Sequence, residues 1–274
     1  MRGVAIGALA LLGLISAAEA AQSPGGGRVT RLKGLVTVER SGASEPGRKG
    51  YILESGDTIK TGSDGIVQWW MVDDSLFLLP TGSSLHIDEY VPPESKGGGF
   101  GRSFFSLLKG AMRSVTGLVA KNDPQSYRVA TPVATMGVRG TDFKLVYCNN
   151  DCARGKNTLK KSSMRGTSPL PPYGPGSLLR TVIKNPTPVK NGAYVKMEKL
   201  TGELCNDGGC AEVTAGVGSG CAFAPDSKTK PVVLPKCPDV FERFGDELEW
   251  EFDDLQKDFY RNRRVPEEEP ASPS

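Results

Sequence analysis

Between Arg28 and Tyr90 the chain never runs far without meeting a turn. "SGD", "TGSDG", "VDDS" and "PTGSS" separate short apolar segments at a spacing of about ten residues. A chain punctuated in this way makes many short strands, and a half-buried strand carries apolar residues at every second position. "GLVTVER" shows that alternation, with Leu35 and Thr37 on one face and Val36 and Val38 on the other. The 34 glycines and 20 prolines in 274 residues, against 7% aromatic residues, favour strands and turns over helices. The expected class is all-β, either a short-stranded sandwich or barrel or a solenoid-like stack.

The first residues, "MRGVAIGALALLGLISAAEAAQS", have the three-part form of a secretory signal peptide. One arginine precedes an apolar run and a small-residue site, so residues 1–20 are expected to be removed after Ala20. The apolar run is short for a bilayer span, and no later segment is longer. Cleavage at a lipoprotein cysteine is excluded, because the first cysteine is Cys148. The expectation is an exported protein of the periplasm that does not span the membrane. A formal charge of +3 is too small to indicate a nucleic-acid partner.

Export changes how the six cysteines are read. Cys148, Cys152, Cys205, Cys210, Cys221 and Cys237 make an even set, which in an oxidising compartment indicates three disulfides. Zinc is the weaker reading, since the spacings are not those of a knuckle and the single histidine, His86, lies far away. In "ELCNDGGCAEV" the two cysteines face each other across an expected hairpin. Proximity in sequence favours pairing 148 with 152, 205 with 210 and 221 with 237.

Beyond the turn-rich region the texture varies. "SFFSLLKGAMRSVTGLV" holds Gly110, Gly117 and a β-branched run, which favour strands over an amphipathic helix. Residues 149–191 read as a flexible basic insertion rich in Pro, Gly and Ser. Strand signals return over 192–237 as a further β-unit. Phe241, Phe244, Leu248, Phe252, Leu255 and Phe259 then recur at three- and four-residue steps, which predicts an amphipathic helix over 239–262, weakened by Gly245. Residues 263–274 read as a disordered tail.

Catalytic parts are scarce. His86 alternates with Leu85 and Ile87 and reads as a strand-face residue. "GVGSG" is only loosely a nucleophile elbow, and "KGGGFGRS" lacks the Gly-Lys-Ser/Thr of a phosphate loop. The acid pairs Asp73-Asp74 and Asp253-Asp254 read as solvated, and a hydrolase would need carboxylates lining one cleft. No enzyme activity and no cofactor are expected.

"GLVTVER", the segment from "SGDTIKTGSDG" to "IDEY", "LLKGAMRSVTG" and above all "TPVATMGVRGTDFKLV" together resemble the FecR domain. The likeness covers about residues 28–148 and implies an all-β domain outside the cytoplasmic membrane. The namesake members span that membrane and relay a signal to a cytoplasmic sigma factor. Here the expected signal peptide stands where their sigma-binding segment would be, so domain and compartment carry over.

The motif residues are Thr131, Pro132, Gly137, Arg139, Gly140, Thr141 and Asp142. Pro132 biases Thr131 towards extended backbone, and the two glycines permit a sharp corner. Arg139 offers five donors, for carbonyls or for a carboxylate such as Asp142. A structural corner is favoured over a ligand contact. The leading expectation is a non-enzymatic protein that binds an envelope protein or takes part in periplasmic sensing. The alternative is a glycan or cell-wall binding module, suggested by Trp69 and Trp70 beside turn acids and by the basic loop.

Overall fold

The computed structural model describes residues 26–93, 99–152 and 189–250. The expected signal peptide, nearly all of the basic insertion, the end of the C-terminal helix and the tail lie outside the described residues.

The first part of the chain forms β1 (Gly27–Lys33), β2 (Val36–Arg40), β3 (Ala43–Pro46), β4 (Ile52–Leu53) and β5 (Thr58–Thr61). There follow β6 (Ile66–Met71), β7 (Leu76–Leu79), β8 (Ser84–Val91) and the long β9 (Arg102–Val115). A short helix α1 (Leu118–Asn122) and a 3-10 turn (Pro124–Ser126) lead to β10 (Tyr127–Ala130), β11 (Thr135–Val138) and β12 (Asp142–Cys148). The last strands are β13 (Gly192–Lys199), β14 (Thr201–Asn206), β15 (Gly209–Thr214), β16 (Cys221–Ala224) and β17 (Val232–Val233). Two helical turns close the described chain, α2 (Val240–Arg243) and α3 (Gly245–Leu248).

Hydrogen bonding sorts these strands into two rows. Sheet A runs β4-β1-β6-β7-β9-β12-β13-β16-β17. Sheet B runs β3-β2-β5-β8-β9-β10-β11-β14-β15. The fold is thus a sandwich, not a solenoid, and β9 belongs to both sheets. Residues 102–109 of β9 pair with β8 in sheet B, and residues 110–115 pair with β7 and β12 in sheet A. Pairing is antiparallel throughout the described residues except between β9 and β10. The strands after residue 189 do not stand apart: β13 extends sheet A from β12, and β14 extends sheet B from β11.

The passage of β9 from one sheet to the other turns on Gly110. Its φ of +79° lies in the left-handed region, and a Cβ there would sit 2.4 Å from Ser83 Oγ and 2.8 Å from Ser83 Cα. The same hydroxyl accepts a hydrogen bond from the Ala111 amide at 3.0 Å, so the bend leaves no orphan donor.

Between the sheets the alternation read from the sequence holds, with Val36 and Val38 buried and Leu35 exposed. Trp69, Phe77, Phe105, Tyr127 and Phe143 form a continuous line of rings with successive centroids 5.1, 4.6, 6.0 and 6.5 Å apart. Each such contact adds about 0.5–1.5 kcal/mol beyond burial of area. Both β9 and β12 contribute a ring, so the line joins the turn-rich part of the chain to the motif region.

Two expectations need correction. Asp73 is not solvated: it is fully buried, and its carboxylate accepts from Ser75 Oγ at 2.9 Å, Tyr90 Oη at 3.3 Å and the Val119 amide at 3.3 Å. Burial, reinforced by that carboxylate, pushes the Tyr90 phenol pKa well up. The end of "SFFSLLKGAMRSVTGLV" is helical from Leu118, because Asp73 accepts from the first amides of α1, Leu118 N through its carbonyl and Val119 N through its carboxylate, and Gly117 lets that carbonyl approach within 2.0 Å of where a Cβ would stand. The C-terminal helix expected from 239 is present as α2 and α3, which meet at Phe244-Gly245, where the glycine weakens the prediction. Its apolar stripe is still used: Val240, Phe241, Phe244 and Leu248 cover Leu76, Leu78, Val146 and Tyr194 on the outer face of sheet A.

The bend gives a direct test. Gly42 also has a positive φ, +82°, but nothing lies within 4 Å of its missing Cβ. Gly42→Ala should cost only the backbone term, about 1–2 kcal/mol, and Gly110→Ala about 3 kcal/mol or more. Denaturant midpoints of the two variants measured side by side check the difference; equal losses would remove the steric role of the bend.

Candidate functional site

Thr131 and Pro132 make a tight turn between β10 and β11. Thr131 Oγ1 donates to the Ala134 carbonyl at 2.8 Å and accepts from the Ala134 amide at 3.0 Å. Pro132 is exposed within that turn, so the strand begins at Thr135, three residues later than a start at the proline would have it. Gly140 follows β11 with φ +62° and ends the strand. Thr141 is then locked against β9: its amide donates to Thr116 Oγ1 at 2.7 Å, and the Thr116 amide donates to its carbonyl at 2.9 Å. Thr141 Oγ1 also donates to the Lys199 carbonyl.

Asp142 is buried, and its partner is Arg113 of β9, not Arg139. Arg113 Nε and Nη2 bind the two carboxylate oxygens at 3.0 and 2.9 Å, with side-chain exposures of 7% and 3%. Burial alone would lower the Arg113 pKa, but the bidentate carboxylate outweighs it and holds the guanidinium charged. Arg113 Nη1 also reaches the Leu248 carbonyl at 3.3 Å and the Glu249 carboxylate. Glu249 in turn pairs with Lys144, which binds Glu198 at 2.8 Å. The pair therefore ties β9, β12 and the C-terminal turns into one charged network on sheet A.

Arg139 goes elsewhere. Its side chain is exposed, and among the described residues it has no hydrogen-bond or ion-pair partner; only its backbone amide is engaged, with Thr201 at 3.3 Å. The motif thus divides into a buried half, Thr141 and Asp142, and an exposed half, Gly137 and Arg139.

The exposed half borders a groove of about 460 Å³ on the outer face of sheet B. Cross-strand register builds it. Phe104, Arg128, Gly137, Glu203 and Glu212 form one row across β9, β10, β11, β14 and β15. Arg128 stacks its guanidinium over Phe104, 4.1 Å from the ring centroid. Gly137 has no side chain, so the row drops to bare backbone at its centre, between a cation and two carboxylates. Glu203 and Glu212 are exposed cross-strand neighbours, and neither side chain has a partner among the described residues. Arg139, Thr135, Gln125 and Leu200 complete the rim.

None of Arg128, Glu203 or Glu212 was singled out from the sequence, although one signal was present. If Cys205 faces Cys210 across a hairpin, Glu203 must face Glu212 on the same side. The step from β11 to β14, distant in sequence, carried no such signal.

The disulfides are Cys148–Cys152, Cys205–Cys210 and Cys221–Cys237, the pairing that sequence proximity favours. Glu203 and the two sulfurs of Cys205 and Cys210 lie within 4.8 Å of one another, but an oxidised pair offers no thiolate to a metal. Two further expectations come into contact here. Trp69 is fully buried, and Trp70 packs partly buried against the C-terminal cluster, so neither is an exposed platform for a sugar. His86 stands on β8 with Nδ1 2.9 Å from Thr58 Oγ1, remote from the groove.

The comparisons with known proteins agree with the motif. Residues 57–158, which include the motif, match the family model described as FecR protein. No curated protein matches. Two crystal structures of a "putative anti-sigma factor" from Parabacteroides distasonis are similar at TM-score 0.39, one at 8% and the other at 9% identity. In each case the likeness covers 66% of this chain and 61% of that one. Among the described residues no helix is long and apolar enough to cross a membrane.

The division of the motif predicts opposite behaviour for its two arginine neighbours. Arg113→Ala leaves Asp142 buried and unpaired and should cost about 3–5 kcal/mol. Arg139→Ala removes an exposed, unpartnered side chain and should change stability by less than about 0.5 kcal/mol. Urea unfolding of both variants checks this; a large loss for Arg139→Ala would restore the arginine to the corner.

Proposed function

We propose that the chain is an exported, non-enzymatic FecR-domain protein that binds another envelope component, or senses one, through the groove beside its motif. The observation that carries this reading is the exposed half of the motif. Arg139, Glu203 and Glu212 present charge around a glycine-floored groove, and among the described residues their side chains have no hydrogen-bond or ion-pair partner. Such side chains can meet an external partner without giving up an internal contact, at the cost of ordering their rotamers. The FecR match supports a role in signalling or sensing, and three disulfides suit an oxidising compartment.

The other readings draw less from the site. Of the features that suggest the glycan module, the two tryptophans are occupied in packing, and most of the basic loop lies outside the described residues. A hydrolase would use the one carboxylate pair in the groove, but Glu203 and Glu212 stand side by side on one wall, not opposed across it, and both are exposed.

Wild-type protein and Arg139→Glu, immobilised in parallel, test the proposal against envelope extract and a panel of purified glycans. The expected result is a protein retained by the wild type and lost by Arg139→Glu at unchanged melting temperature. Equal retention by both would remove the groove from the interaction, and retention of a glycan alone would favour the binding-module reading.

A further inference from the structure

We infer that Glu203, Cys205, Cys210 and Glu212 form a redox-gated site for a thiophilic divalent cation of the zinc type, closed while the disulfide stands and open once it is reduced. This inference is independent of the binding partner proposed above.

The first support is accessibility. Cys148 and Cys221 are 1% and 0% exposed, and each anchors a bridge inside the outer cluster of sheet A. Cys205 is half-buried and Cys210 exposed, on the solvent face of sheet B. Among the three bridges, a dithiol reductant can therefore reach this one most readily. Its second thiol resolves the mixed disulfide: one S–S bond breaks in the protein, one forms in the reductant, and Cys205 and Cys210 are left as thiols.

The second support is that the fold does not need this bridge. Asn206 and Gly209 already close the hairpin, and β14 is held on its other side by β11 over Thr135–Val138. Asn206 Nδ2 further ties the turn to the carbonyls of Asp226 and Thr229, both at 2.7 Å. A bridge across so short a loop removes little chain entropy, so the strands should survive its opening.

The third is the ligand set. Side chains directly opposite each other on a sheet face have Cβ atoms about 4.5–5.5 Å apart, and alternate residues of one strand share that face. Cys205 opposes Cys210 and Glu203 opposes Glu212, so the four side chains mark a square on one face. The donor atoms of Glu203, Cys205 and Cys210 already lie within 4.8 Å of one another. Two thiolates with two carboxylates suit a tetrahedral zinc ion, which releases both thiol protons as it binds. Arg128 and Arg139 in the same groove offset part of the negative charge. Occupation would draw Glu203 and Glu212 towards the metal and away from the groove, changing what the groove presents.

The test uses the whole chain. Graded reduction followed by alkylation and mass spectrometry reads the order of opening, and titration with Zn²⁺ against a chromogenic chelator reads binding. The expected results are that Cys205–Cys210 opens first, that the reduced protein keeps its strand circular dichroism, and that it takes up one zinc while the oxidised protein takes up none. Glu203→Gln with Glu212→Gln should weaken uptake by more than about tenfold. Reduced, folded protein that binds no zinc would overturn the inference. So would uptake undiminished in Cys205→Ser with Cys210→Ser, or loss of the strand signal when this bridge alone opens.

Discussion

The Arg113–Asp142 ion pair is the contact on which the two halves of the sandwich converge. It joins β9, the strand that both sheets share, to β12, the strand on which the rest of sheet A is built. A buried charge pair of this kind is worth little as a source of stability, because desolvation offsets most of its attraction. Its consequence is specificity: with either partner displaced, a bare charge would be left under the C-terminal turns. The register of β12 on β9, and of everything hydrogen-bonded beyond it, is fixed accordingly.

The two outer faces of the sandwich then take different roles. Sheet A is covered by α2 and α3, whose Glu247 binds Thr81 and whose following Glu249 meets Arg113 and Lys144. Among the described residues, sheet B keeps its face open where Gly137 interrupts the row of charged residues. The same short motif serves both, because successive strand residues point to opposite sides and the corner at Gly140 separates its two parts. Polar side chains on the outer face of sheet A are consumed by contacts with the C-terminal turns, and those on the outer face of sheet B remain for a partner.

How far this could be read from the sequence depended on the range of the interactions. The all-β class, the alternation of Val36 and Val38 and the Cys148–Cys152 and Cys205–Cys210 disulfides follow from signals within a few residues. The FecR likeness was carried by a contiguous motif. Arg139 offers its donors to nearby carbonyls or to Asp142 as the sequence reads, yet Arg113, 29 residues from Asp142, holds that carboxylate. Asp73 likewise looked solvated beside Asp74 and is instead the cap of a helix 46 residues on. The groove joins β10, β11, β14 and β15, and the register of β11 on β14 is set by the whole sandwich. The expected C-terminal helix is present as α2 and α3 over its described part. Its apolar stripe was legible, and Phe244 and Gly245 mark the junction where the segment lies down on sheet A.

The central claim is that Asp142 belongs to Arg113 and Arg139 to the solvent. A pair of double-mutant cycles, Arg113 with Asp142 and Arg139 with Asp142, measures it through unfolding free energies. The account predicts a coupling of about 1.5 kcal/mol or more for the first pair and about zero for the second. A coupling near zero between Arg113 and Asp142, or a large one between Arg139 and Asp142, would contradict it.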